Sequence, residues 1–290
     1  MEITSPSAAN RPSYDTTGKL SLDHVYNQPD PRDYFSVLSK LDYRVPELAK
    51  PFFKRLLDAR REVNGEAAAK IVDVGCSYGV NAALLKYDLS LDDLYRLYSE
   101  EAPADEETLL ARDRALFSAS ADEALSFVGV DAAPNAITYA VDAGIMDAGV
   151  STNLEREEPS DADLRAVENS DMIISTGCVG YVTKTSLEHL VEAGRDKGTW
   201  MANFVLRMFD YQPVEEMLSE RGYVTERFDG ALFPQRRFVS ATEQAHVLDN
   251  LRKRGISPEA AESEGWYLAE LHVSRPADQA SPRLETIFSP

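Results

Sequence analysis

Short apolar runs alternate with amphipathic stretches through most of the chain, and their spacing predicts the elements. KIVDV at residues 70–74 has the length and composition of a buried strand. A glycine-bearing turn, GCSYG, follows it, and VNAALLKY then opens a helical pattern. FVGVD at 127–131 and PNAITYAVDAG at 134–144 repeat the strand–loop–helix unit. GVSTNLE gives a third strand, DMIISTGCVGYVT a fourth with helix TSLEHLVEAG, and GTWMANFVLRM a fifth with helix PVEEMLSERG. GYVTERF and WYLAELHVSRP complete the set. Strands alternating with helices predict an α/β fold: a Rossmann-like, mostly parallel seven-stranded sheet with helices on both faces.

The flanking regions read differently. Residues 1–20 are rich in Ser, Pro, Ala and Thr and predict a loose tail. Residues 21–65 carry two short helical patterns, YFSVLSKL and ELAKPFFKRLLDAR, and predict an N-terminal helical cap. The main domain spans 66–275, with helical insertions at about 88–124 and 229–264, and a C-terminal tail over 276–290.

The turn after the first strand reads Asp73-Val74-Gly75-Cys76-Ser77-Tyr78-Gly79. Dinucleotide-binding turns use three glycines spaced G-x-G-x-x-G to admit a pyrophosphate. Here Ser77 stands where the second glycine belongs and no third follows, which suits a ligand without pyrophosphate. Asp131 ends the second strand, where an acid accepts hydrogen bonds from ribose hydroxyls. A helix-capping role is the plain alternative for Asp131.

These segments together resemble the class I S-adenosylmethionine (SAM)-dependent methyltransferase superfamily. VDVGCSYG looks like its first motif, VGVDAAP like its acidic second motif, STNLE like its adenine-contacting segment, and DMIISTGCVGYV like the strand and loop lining its active site. The resemblance covers roughly residues 66–275 and implies SAM as cofactor and an antiparallel last strand. It implies that Asp73, Gly75 and Gly79 surround the methionine part of SAM, with Cys76, Ser77, Ala132 and Thr176 along the same ligand. It also implies that Asp131 holds the ribose, and that Asn153 and Leu154 meet the adenine.

The acceptor side is less marked. The loop Thr176-Gly177-Cys178-Val179-Gly180-Tyr181-Val182 contains no Asp, Glu, His or Lys. It also lacks the Asn/Asp-Pro-Pro-aromatic pattern of methyltransferases that act on exocyclic amines of bases. That predicts catalysis by positioning, with a nucleophile that needs little or no deprotonation. Tyr181 is placed to face the sulfonium, where cation–π attraction is worth about 0.5–2 kcal/mol, or else it packs under the cap. Arg207, Arg236 and Arg237 are candidate anchors for a carboxylate on the acceptor, since guanidinium binds carboxylates bidentately; ordinary ion pairing is the alternative. Tyr26, Asn27 and Asp30, in YNQPDPRDYF, are candidates for closing the pocket.

Composition narrows the partners. Thirty Lys and Arg against 49 Asp and Glu leave a net charge of -19, unfavourable for nucleic acid or anionic membranes. Cys76 and Cys178 fit free thiols in a reducing compartment, and the four scattered histidines give no metal-ligand spacing. The N-terminus lacks the apolar stretch of a signal peptide, so a cytoplasmic setting is expected; self-association stays open. The combined reading is a small-molecule methyltransferase, its acceptor an amino acid or a thioether such as methionine. Three rivals stand beside it: a SAM-consuming cyclase releasing methylthioadenosine, an NAD-dependent oxidoreductase, and a non-catalytic SAM-binding protein.

Overall fold

The computed structural model describes residues 23–99, 101–119 and 121–289; the tail expected over 1–20 lies outside them. The described chain enters through helices α1 (Asp23–Tyr26), α2 (Arg32–Ser39) and α3 (Val45–Asn64). Strand β1 (Ala69–Val74) and α4 (Val80–Lys86) follow, then α5 (Leu91–Leu97) and α6 (Glu106–Ser118). Next come β2 (Leu125–Val130), α7 (Pro134–Asp142), β3 (Ala148–Val150), α8 (Asp161–Val167), β4 (Met172–Thr176) and α9 (Lys184–Ala193). The C-terminal part contains β5 (Trp200–Leu206), α10 (Gln212–Ser219), β6 (Tyr223–Arg237), α11 (Ala241–Lys253), α12 (Ala260–Ser263), β7 (Trp266–Pro276) and α13 (Leu284–Ile287).

All seven strands join one sheet in the order β3-β2-β1-β4-β5-β7-β6. β1 to β5 pair in parallel, and β7 lies antiparallel between β5 and β6. The fold is therefore the Rossmann-like α/β architecture expected, including its antiparallel last strand. Parallel strands covered on both faces need apolar side chains on both. Val72, Val74, Val128 and Ile173 pack on one side with Leu187, Leu190 and Leu218 of α9 and α10. Ile71, Phe127, Met172 and Phe204 pack on the other with Phe53, Leu84 and Ile137 of α3, α4 and α7.

Four boundaries differ from the sequence reading. The 21–65 region is not one cap. α3 is a continuous 20-residue helix that packs against α4, β4, β5 and β6, so it belongs to the main domain. Its buried Val45, Ala49, Phe53, Leu56 and Leu57 form a helical stripe, and Phe53 meets Phe204 with ring centres 5.4 Å apart. The insertion expected from 229 begins as strand: β6 continues to Arg237 after a register break between Phe228 and Phe233. Burial of Phe233, Gln235 and Arg236 against the long β7 keeps that segment extended. The third strand is short, and most of GVSTNLE is loop. The C-terminal segment is packed: Leu284 is buried and α13 rests on α3 and β6.

The insertion before β2 holds helices α5 and α6, and it carries α2. Arg32 donates to the Pro103 and Ala104 carbonyls at 3.0 and 2.7 Å, and Phe35 stacks on Tyr98 at 4.8 Å. Buried Asp113 accepts the Tyr98 and Tyr139 hydroxyls at 2.7 and 2.6 Å, which fastens α6 to α5 and α7.

Candidate active site

The carboxyl ends of β1, β2 and β4 converge at the crevice where open α/β sheets bind ligands. The β1 turn is shaped by positive φ at Gly75, Ser77 and Gly79, and both glycines are required by packing. A side chain on Gly75 would meet Cys178 Cβ at 2.5 Å, and one on Gly79 would meet Ile145 at 2.6 Å. Gly75 thus lets the loops after β1 and β4 touch, while its own backbone stays exposed. Cys178 donates its thiol to the Val74 carbonyl at 3.1 Å across that contact. Cys76 is buried, and burial pushes its thiol well above the usual range.

Asp131 joins the β1 and β2 turns. Its carboxylate accepts the Ser77 amide at 2.8 Å and the Ala133 amide at 3.0 Å. Ala133 is the N-cap of α7, so Asp131 braces the helix entry without capping it directly. Burial raises its pKa against the pull of those two amides. Ala132, beside it, is exposed.

Asp73 lies wholly buried beneath the turn. Asn81, in the first turn of α4, donates to Asp73 Oδ1 at 2.9 Å and to Thr176 Oγ1 at 3.1 Å. Asp73 Oδ2 and Ser77 Oγ are buried without a partner among the described residues. Burial lifts the Asp73 carboxyl to about 7; the Asn81 hydrogen bond opposes this and nearby Asp131 adds to it.

The loop after β3 is organised by its own side chains. Asn153 Oδ1 accepts the Glu155 amide at 3.2 Å, and Leu154 is buried in the core on the α9 side. Glu155 accepts from the Thr183 amide and hydroxyl at 2.7 and 2.8 Å and from the Ser186 hydroxyl at 2.6 Å. These bonds fasten the loop to the start of α9.

A strap formed by the residues after α1 crosses the crevice. Asn27 Oδ1 accepts the Asn135 amide at 2.9 Å, the Asn135 side chain returns to the Asn27 carbonyl at 3.0 Å, and Tyr78 donates to the Gln28 carbonyl at 2.8 Å. Tyr26 packs edge-on against Tyr34, which in turn meets Tyr78 with centres 5.6 Å apart. Asp30 is not a pocket group, because Arg32 engages both of its oxygens.

The three arginines do not present free guanidinium groups to an acceptor, which corrects their expected role. Arg207, just past β5, is buried and paired with Glu262 at 2.5 Å, with Glu259 and Glu270 at 3.9 and 3.8 Å. Arg236 forms a buried two-point pair with Glu243 at 2.9 and 3.1 Å. Arg237 pairs with Asp42 at 3.3 Å and lies over the Trp266 ring at 4.0 Å, with Arg44 on the same ring at 4.2 Å. Tyr181 is exposed and meets Phe209 edge-on at 5.4 Å.

Three residues at this site escaped the sequence reading. Asn81 left a signal, as a lone polar residue inside the apolar stretch VNAALLKY. Tyr43, brought beside Gln235 by the Arg44–Gln235 backbone bond, left none, and neither did Gln235, which packs on Gly177. Among the described residues, no group of three or more His, Cys, Asp or Glu is arranged to hold a metal ion. No described helix is long and apolar enough to cross a membrane.

No protein-family model matches the chain, and no curated protein matches it. Solved structures do. A TehB-like SAM-dependent methyltransferase from Corynebacterium glutamicum ATCC 13032 is 14% identical, over 78% of this chain and 98% of its own, with TM-score 0.36. The plantazolicin methyltransferase BamL, in complex with a triazolic desmethylPZN analog and SAH, is 13% identical over 87% and 96%, with TM-score 0.43. Magnesium protoporphyrin IX methyltransferase from Synechocystis PCC 6803, with bound SAM, is 11% identical over 73% of each chain, with TM-score 0.35. Likenesses this distant assign no activity, and the fold stands on its own strand order.

Proposed function

We propose that this chain is a SAM-dependent methyltransferase acting on a small molecule. The observation that carries the reading is the buried Asp73, its Oδ2 without a partner, under a turn whose Ser77 amide is held by Asp131. An unpaired buried carboxylate oxygen is costly, and the ammonium of an aminocarboxylate ligand would satisfy it. The residues present therefore fit SAM: Asp73 and Ser77 toward the methionine part, Asp131 toward the ribose, and the Asn153–Leu154 loop toward the adenine. Bound there, SAM supplies a sulfonium-activated methyl group whose transfer leaves S-adenosylhomocysteine (SAH).

A small acceptor is supported by the Asn27–Gln28 strap, which bridges the segments after β1 and β2 at the crevice, and by the net charge of -19. A carboxylate on that acceptor has little support, because the buried Arg207 and Arg236 already hold Glu262 and Glu243. The free thiols of Cys76 and Cys178 support a reducing, cytoplasmic setting.

The test is calorimetric titration with SAM and SAH, followed by product analysis. Both ligands are expected to bind, and Asp131→Ala is expected to weaken them by about 1.5–3 kcal/mol, the worth of a hydrogen bond to a charged group. Turnover is expected to yield SAH. Methylthioadenosine as product would assign cyclisation in place of methyl transfer, and unchanged affinity in Asp131→Ala would remove the ribose role.

A further inference from the structure

Around Thr176 and Gly177, at the carboxyl end of β4, three distant parts of the chain meet. The N-terminal segment supplies Tyr43, whose neighbour Arg44 donates its amide to the Gln235 carbonyl at 2.8 Å. β7 supplies Tyr267, whose ring lies 4.7 Å from the Arg236 guanidinium. β6 supplies Gln235. Its amide occupies the space a side chain on Gly177 would need, with Nε2 2.0 Å from where that Cβ would stand.

Gln235 is 4% exposed, and its Oε1 is buried without a hydrogen-bond partner among the described residues. An unpaired buried acceptor costs about 1–3 kcal/mol, so the site favours a ligand that brings a donor. The surroundings select which donor. The positive charge of Arg236 is balanced by Glu243, leaving aromatic faces and an amide oxygen in place of a carboxylate anchor. Burial holds the Tyr43 and Tyr267 hydroxyls well above the usual tyrosine range, so neither supplies a phenolate to deprotonate an alcohol.

Resting on the methyltransferase reading above, we infer that the acceptor is a small amine, its N–H held by Gln235 Oε1 and its body lying against Tyr43 and Tyr267. A neutral amine donates N–H while keeping the lone pair that attacks the methyl carbon. The methylated product releases its extra proton to water, so no protein base is required. Before deprotonation, the ammonium form is drawn by the acidic surface and by the tyrosine faces.

The test uses the full chain and begins with SAH alone. Failure to bind SAH would remove the methyltransferase reading itself, before any acceptor is added. Tyramine and 3-(4-hydroxyphenyl)propanoate, which share a ring and tether but carry an amine or a carboxylate, are then titrated into the SAH complex by calorimetry. Tyramine is expected to bind at least about tenfold more tightly, and Gln235→Leu to lower its affinity about tenfold with SAH binding unchanged, the scale of one lost hydrogen bond. Gln235→Glu, which keeps the acceptor oxygen, is expected to bind tyramine as tightly as the parent or better. It carries the test if SAH binding shows that Gln235→Leu has not folded. Equal or tighter binding of the carboxylate, binding of neither probe, tyramine affinity unchanged in a folded Gln235→Leu, or weakened in Gln235→Glu, each overturns the amine assignment while the SAH result leaves the cofactor reading standing.

Discussion

Asp73 is a carboxylate with no solvent exposure and one donor, Asn81, on one of its two oxygens. Its folded pKa lies at about 7 against an ordinary 3.8, chiefly because burial disfavours the charged form. Between these values the native chain keeps a proton that the unfolded chain has released. The contribution of Asp73 to stability therefore falls as pH rises from about 4 to about 7 and is level above that. A ligand ammonium at Oδ2 favours the charged carboxylate, so ligand affinity should run the opposite way. SAH is expected to bind more tightly at about pH 8 than at about pH 6, with a proton released on binding in the acid part of that range. Asp73→Asn is expected to flatten the dependence. Calorimetry in two buffers of different ionisation enthalpy measures both effects, and a pH-independent affinity in the parent protein would take Asp73 out of the cofactor site.

Among the elements, the N-terminal helices divide by what they bury. The strap after α1 touches the crevice through Asn27 and Gln28, and α1 itself joins the core through buried Val25 and partly buried Tyr26. α3 buries Phe53, Leu56 and Leu57 against the sheet and α4. At about 1.5–3 kcal/mol for each large side chain, these three are comparable with the whole stability of a domain, about 5–15 kcal/mol. A chain beginning at Pro29 is therefore expected to fold and to bind SAH more weakly. A chain beginning at Glu66, without α3, is expected to lose its cooperative thermal transition. Circular dichroism melting and SAH titration check the pair; a cooperative melt in the shorter chain would show that α3 is dispensable.

For the molecule as a whole, the net charge of -19 acts through its summed field. Each ion pair sums to zero charge and leaves that excess in place, so self-repulsion opposes the compact state. Raising salt from about 10 mM to about 300 mM shortens the screening length from about 30 Å to well under 10 Å and is expected to raise the melting temperature. Differential scanning calorimetry across that range checks this. A falling melting temperature would mean that the surface pairs, such as Lys54–Asp88, outweigh the repulsion.

The strands, the glycine turn and the acid closing the second strand were legible because each is written in a few adjacent residues. A buried parallel strand needs a continuous apolar run, and the chirality of its crossovers leaves few arrangements. The same local logic placed Asp73, Ser77 and Asp131 at or just past the ends of β1 and β2. Tertiary structure alone decided what happens between distant residues. Arg207 and Arg236 looked free because nothing near them in sequence marks Glu262 or Glu243 as a partner. Gln235 reaches Gly177, and Tyr43 comes beside Gln235, only because the α2–α3 loop pairs with β6 through Arg44–Gln235 and Leu41–Arg237 backbone bonds. Local pattern specifies elements and the turns between them. The partner of a charge, and the wall of a pocket, depend on which side chains the sheet brings within a few ångströms.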